Sequence, residues 1–67
     1  MSTVIVNGRE RSVEAGATVE ALLRELGLEG PYALVERNGE PVSRASYGDV
    51  RLEGGDSVVV ARPVAGG

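Results

Sequence analysis

Thr18-Val19-Glu20-Ala21-Leu22-Leu23-Arg24-Glu25-Leu26-Gly27 is the stretch from which the rest of this 67-residue chain can be read. Val19, Leu22, Leu23 and Leu26 recur at i, i+3, i+4 and i+7, which lines one face of an α-helix with apolar side chains. Thr18 offers the hydroxyl of an N-cap, and Glu20 places a negative charge beside the positive end of the helix dipole. Gly27 suits the left-handed conformation that stops a helix, with Leu28 as the apolar residue that folds back on the last turn. A single helix with one apolar face has to cover another layer, and the flanking sequence supplies a sheet.

Upstream, Thr3-Val4-Ile5-Val6 is β-branched throughout and runs into Asn7-Gly8, the dipeptide best suited to a tight hairpin turn. Arg9 to Val13 is the return strand, closed by Glu14-Ala15-Gly16. Downstream of Gly30-Pro31, Tyr32 to Arg37 reads as a third strand and Asn38-Gly39 as a second turn. A short edge strand, Glu40 to Ser43, comes next, followed by an irregular stretch from Arg44 to Glu53 holding Tyr47, Val50 and Leu52. Gly54-Gly55-Asp56 turns the chain into Ser57 to Arg62, the strongest strand pattern of all. Pro63 has no N–H to give a ladder, so regular pairing ends near it. The order ββαβββ, one helix on a mixed sheet of four to five strands, is an α+β architecture.

Alternation along the strands divides their side chains between two faces. Val4, Val6, Val58 and Val60 are expected to meet Leu22, Leu23 and Leu26 in the core. That leaves Ile5, Val59 and Ala61 as an apolar strip on the far face, leading toward the end of the chain with Arg62 beside it. This strip and Arg62 are the candidate partner-binding face, although isolated surface aliphatics are common on any protein.

Composition restricts the chemistry. The chain has no Cys, no His and no Trp, and its seven basic residues are all arginine against ten acids, for a net charge of −3. Neither disulfides nor a thiolate zinc site can supplement so small a core. The usual nucleophiles and bases are missing, and no paired carboxylates stand at a defensible spacing, so no catalytic residue and no metal ligand is assigned. Single arginines spread along an acidic chain make a poor footprint for nucleic acid. The apolar runs are too short to span a membrane and the start lacks a signal-peptide layout, which predicts a soluble, cytoplasmic domain. Gly54-Gly55-Asp56 is read as a turn, since neither a helix nor a Lys-Ser/Thr pair follows to make it a phosphate loop.

The last four residues, Val64-Ala65-Gly66-Gly67, are where this reading places function. Two final glycines arise by chance in about 2% of chains this rich in glycine. A carboxylate on a residue without a side chain can be threaded into another enzyme's active site, because glycine lacks the Cβ that a narrow channel excludes. No lysine exists on the chain for such a carboxylate, once activated, to acylate. The expected division is a folded domain over residues 1–63 and a flexible tail over 64–67.

The segments Val6-Asn7-Gly8, Thr18-Val19-Glu20-Ala21-Leu22-Leu23, Glu36-Arg37-Asn38-Gly39-Glu40, Val42 with Arg44, Leu52-Glu53-Gly54-Gly55-Asp56 and Val64-Ala65-Gly66-Gly67 together resemble the β-grasp, or ubiquitin-like, fold. Within it they are most similar to the ThiS family, the sulfur carriers of thiamine thiazole biosynthesis. The resemblance implies a protein substrate with no bound cofactor. Its Gly67 carboxylate would be adenylated with ATP by a partner of the ubiquitin-activating type. A sulfur donor such as a cysteine desulfurase would then convert it to a thiocarboxylate, and thiazole synthase would accept the sulfur. Ser43 stands where the family pattern has proline. The Arg62-Pro63-Val64-Ala65-Gly66-Gly67 ending is also similar to the small subunit of molybdopterin synthase. Sulfur delivery to molybdopterin or tRNA, and conjugation as a ubiquitin-like modifier, are the alternatives that share this fold and tail.

Overall fold

The structure, a computed structural model, describes residues 1–30 and 32–62. Strands β1 (Ser2–Val6) and β2 (Arg9–Val13) form a hairpin, helix α1 (Val19–Glu25) follows, and β3 (Leu34–Arg37), β4 (Glu40–Pro41) and β5 (Ser57–Ala61) complete the order ββαβββ. The sheet runs β2-β1-β5-β3-β4. β5 lies at its centre, parallel to β1 and antiparallel to β3.

Both Asn-Gly turns form as the sequence predicts. Asn7 and Asn38 sit at φ 50 and 52, and Gly8 and Gly39 at 83 and 84. Two successive left-handed residues give a turn whose twist matches that of the flanking strands.

The helix is fixed at both ends by backbone bookkeeping. The Thr18 hydroxyl accepts the Ala21 N–H at 3.1 Å. The Val19 and Glu20 N–H groups donate to the carbonyls of Val50 (3.0 Å) and Tyr47 (2.9 Å). The irregular stretch after β4 thus supplies the acceptors that a helix start otherwise lacks, and the positive end of the helix is already occupied. At the other end Gly27 has φ 71. The Leu28 N–H reaches Leu23 at 2.8 Å and the Gly27 N–H reaches Arg24 at 3.1 Å, the paired bonds of a Schellman stop.

Val4, Val6, Val58 and Val60 pack with Leu22 and Leu23, joined by Val13, Val19, Ala33, Val35, Tyr47 and Leu52. Leu26 is only partly buried and packs at the margin of this cluster, because the helix has ended at its C-cap by that residue. Three strands are shorter than the sequence suggests. β3 begins at Leu34 rather than Tyr32, where Tyr32 stands 64% exposed and the Ala33 carbonyl is taken by the Tyr47 hydroxyl at 2.9 Å. β4 covers only Glu40 and Pro41, although Val42 still donates its N–H to the Val35 carbonyl at 2.9 Å; Pro41, opposite Glu36, turns its nitrogen to the open edge, where no ladder bond is lost. β5 ends at Ala61 rather than Arg62.

Candidate functional site

β5 is the element that delivers the chain to its last residues, and its neighbours hold it on both edges. On the β3 side, the Asn38 N–H donates to the Ser57 carbonyl at 2.7 Å, and the Asn38 side-chain oxygen accepts the Ser57 N–H at 2.9 Å. On the β1 side, Ile5 and Asn7 donate their N–H groups to the carbonyls of Asp56 (2.8 Å) and Val58 (2.9 Å). One register further on, β1 has turned away. The Asn7 carboxamide takes its place, accepting the Val60 N–H at 2.8 Å and donating to the Val60 carbonyl at 3.1 Å.

The start of β5 is locked by Asp56, a buried carboxylate that composition alone did not single out. It accepts the Arg37 guanidinium at 2.8 Å, the Asn38 amide at 3.0 Å and the Glu53 N–H at 2.8 Å. Burial by itself pushes the Asp56 carboxyl up. The Glu53 N–H, the Asn38 amide and the Arg37 charge outweigh it and hold the group below its ordinary range. The same bonds explain why Gly54-Gly55-Asp56 is a turn and no phosphate cradle. Gly55 gives its N–H to Thr3 at 2.8 Å, Asp56 gives its own to Glu53 at 3.0 Å, and a fixed carboxylate fills the bend.

The outer face of the sheet carries the predicted strip. Ile5, Val59 and Ala61 are all exposed there, as is Arg62 just beyond β5. The structure adds Leu34, which is half exposed and pairs with Ala61 across the β3–β5 ladder. Sequence reasoning placed Leu34 in a strand without giving it a face. Its pairing with Ala61 requires the β3–β5 register, which no local pattern contains. Leu34, Val59 and Ala61 also line a groove with Pro41 and Arg44. Among the described residues, no group of three or more His, Cys, Asp or Glu is placed to hold a metal ion. No helix among them is long and apolar enough to cross a membrane. Val64, Ala65, Gly66 and Gly67, the predicted tail, lie outside the described residues, as does Pro63.

A family model described as the ThiS family matches residues 4–67, running through both Asn-Gly turns, the Asp56 bend and the final glycines. The chain belongs to the ThiS family. The solved structure of a thiamine biosynthesis protein (ThiS) from Geobacter metallireducens superimposes with a TM-score of 0.81 at 29% identity, covering 97% of this chain and 99% of that one. The ββαβββ β-grasp is therefore the shared ThiS fold. Two curated relatives carry the name thiazole synthase. The one from Paramagnetospirillum magneticum is 42% identical over 64 residues, and the one from Magnetococcus marinus is 42% identical over 62. The ThiS chain spans only about a fifth of either, 20% and 19% of their lengths.

Proposed function

We propose that this ThiS-family chain is a sulfur carrier for the thiazole of thiamine, with the Gly67 carboxylate as its working group. What carries the reading is the family match, which extends to residue 67 and so includes the diglycine end. A carboxylate is a poor electrophile because its leaving group would be oxide. In the proposed sequence a carboxylate oxygen of Gly67 attacks the α-phosphorus of ATP on a separate adenylating enzyme, and pyrophosphate leaves. A sulfur nucleophile then displaces AMP to leave a thiocarboxylate. If the donor is a persulfide, the first product is an acyl disulfide, from which a thiol releases the thiocarboxylate with formation of a new disulfide. The carrier's own contribution is to present residues 64–67 as a slender tail and to keep competing nucleophiles away. Its sequence holds no Cys, His or Lys.

Thiazole synthase is the acceptor this reading favours. Segments related to this chain occur within two longer proteins of that name, which supports a working association between carrier and synthase. The outer strip of Ile5, Val59, Ala61 and Leu34, with Arg62 at the root of the tail, is the surface proposed to meet the adenylating enzyme and the synthase.

Intact mass spectrometry after incubation with the adenylating enzyme, ATP and a sulfur donor tests the reading. The expected product is one oxygen-to-sulfur exchange on Gly67, reactive toward thiol-directed alkylators although the chain has no cysteine. Deleting Gly67 abolishes that product and leaves the melting midpoint where it was. Loading of the truncated chain overturns the mechanism, and high-mass conjugates through Gly67 would identify a protein modifier instead.

A further inference from the structure

Asn7 does more than turn the first hairpin. Successive residues of a strand direct their backbone groups to opposite edges, so Val58 and Val60 face β1 while Ser57, Val59 and Ala61 face β3. β1 pairs Ile5 with Ser57 and Val6 with Val58, then ends. The Val60 N–H and C=O therefore point at an edge with no strand beside it. The Asn7 carboxamide supplies one acceptor and one donor, at 2.8 and 3.1 Å, and imitates the peptide group that a longer β1 would have offered. The two residues are 53 positions apart in the chain. Beyond this pair the described part of β5 continues only through Ala61, on the β3 side.

We infer that Asn7 is a positioning residue for the tail, holding the β1-side edge of β5 at Val60, just before the segment proposed to reach partner enzymes. This inference rests on the carrier function proposed above. With the clamp in place, the partner meets a tail whose approach runs through a Val60 held on the β1 side as well as the β3 side. Without it the end of β5 frays, and those residues must be ordered again at each encounter, which weakens capture and leaves the chemistry at Gly67 untouched.

Asn7→Gly separates the two jobs of this residue. Glycine accepts the left-handed turn conformation as readily as asparagine but has no carboxamide. The experiment measures pyrophosphate release by the adenylating enzyme against carrier concentration, together with backbone hydrogen exchange at Val60. For Asn7→Gly, the expected KM for the carrier rises about tenfold with kcat within about twofold, and Val60 exchanges at least about tenfold faster. Asn7→Asp, which keeps the turn and the acceptor for the Val60 N–H but loses the donor, shifts KM in the same direction and guards against a folding failure of the first variant. Asn38→Gly loosens the opposite end of β5 at Ser57, and below its melting transition it leaves KM within about twofold of wild type. An unchanged KM for Asn7→Gly overturns the inference, as does a rise matched by Asn38→Gly, which would mark a general loss of stability. Wild-type chain that supports no pyrophosphate release overturns the carrier function itself, so the two failures are told apart.

Discussion

Val58 and Val59 are neighbours of the same residue type on one strand, and they are used in opposite ways. Val58 is 0% exposed against the helix, while Val59 is 47% exposed on the outer face. The inner face of the sheet makes the fold: four valines of β1 and β5 close on Leu22 and Leu23. The outer face contributes little to folding, since Ile5, Leu34 and Val59 keep a third to a half of their surface in water. A strand that alternates this strictly lets one surface hold the domain together while the other stays available to a partner. Substitutions on the two faces should therefore separate stability from function.

The sharpest break lies on the inner side. Leu23 is 2% exposed beneath the sheet. Leu23→Ala removes a buried isobutyl group in a domain with few large core residues, and a loss of about 2–5 kcal/mol is expected from the transfer and cavity terms together. Chemical denaturation with an unchanged slope and a lower midpoint would register it. A variant as stable as wild type would show that the helix face has been assigned wrongly.

Smaller, and dependent on pH, is the contribution of Asp56 at the head of β5. Its folded-state carboxyl titrates below the ordinary range, so on acidification the unfolded chain takes up the proton first. The stabilisation is therefore complete above the ordinary carboxylate range and is lost as pH falls through it toward the depressed folded value. Asp56→Ala removes the acceptor of the Glu53 N–H and the Asn38 amide, leaves the Arg37 guanidinium only its longer contact to Glu53, and should cost about 2–3 kcal/mol at neutral pH. Denaturation midpoints of the two proteins should converge as the pH drops below the carboxylate range. A constant gap between them at every pH would mean that packing, and not the charge, is what Asp56 supplies.

What could be read in advance follows the range of the interactions. The helix with its Thr18 cap and Gly27 stop, both Asn-Gly turns and the alternation of β1 and β5 are local signals, and they survive in the structure. The outer strip was legible for the same reason, since Ile5, Val59 and Ala61 follow from alternation once the inner face is known. Leu34, the buried Asp56 and the Asn7 clamp were not, because each depends on chain segments brought together by folding. Asn7 meets Val60 across 53 positions, and Asp56 meets Arg37 across 19. The early end of β4 was not legible either, since a proline whose nitrogen faces the open edge is compatible with an edge strand. The β3–β4 ladder runs one bond past it, from the Val42 N–H to Val35.

The smallest effect on folding, and the one that most directly tests the contrast between faces, is expected from Val59→Thr. Threonine keeps the branched Cβ that suits a strand and replaces one exposed methyl with a hydroxyl. At a site 47% exposed, the change should alter stability by no more than about 0.5 kcal/mol. If the outer strip is where partners dock, the same change places a hydroxyl in a desolvated contact with no partner prepared for it, and capture weakens by about tenfold or more. Binding of the carrier to the adenylating enzyme and to thiazole synthase, measured beside its melting midpoint, reads both quantities on one sample. Unchanged affinity for both enzymes would reduce Ile5, Val59, Ala61 and Leu34 to ordinary surface aliphatics. Recognition would then fall to Arg62 and the tail, and a Val58→Thr variant would still fail through stability alone, because at 0% exposure its hydroxyl has no water to turn to.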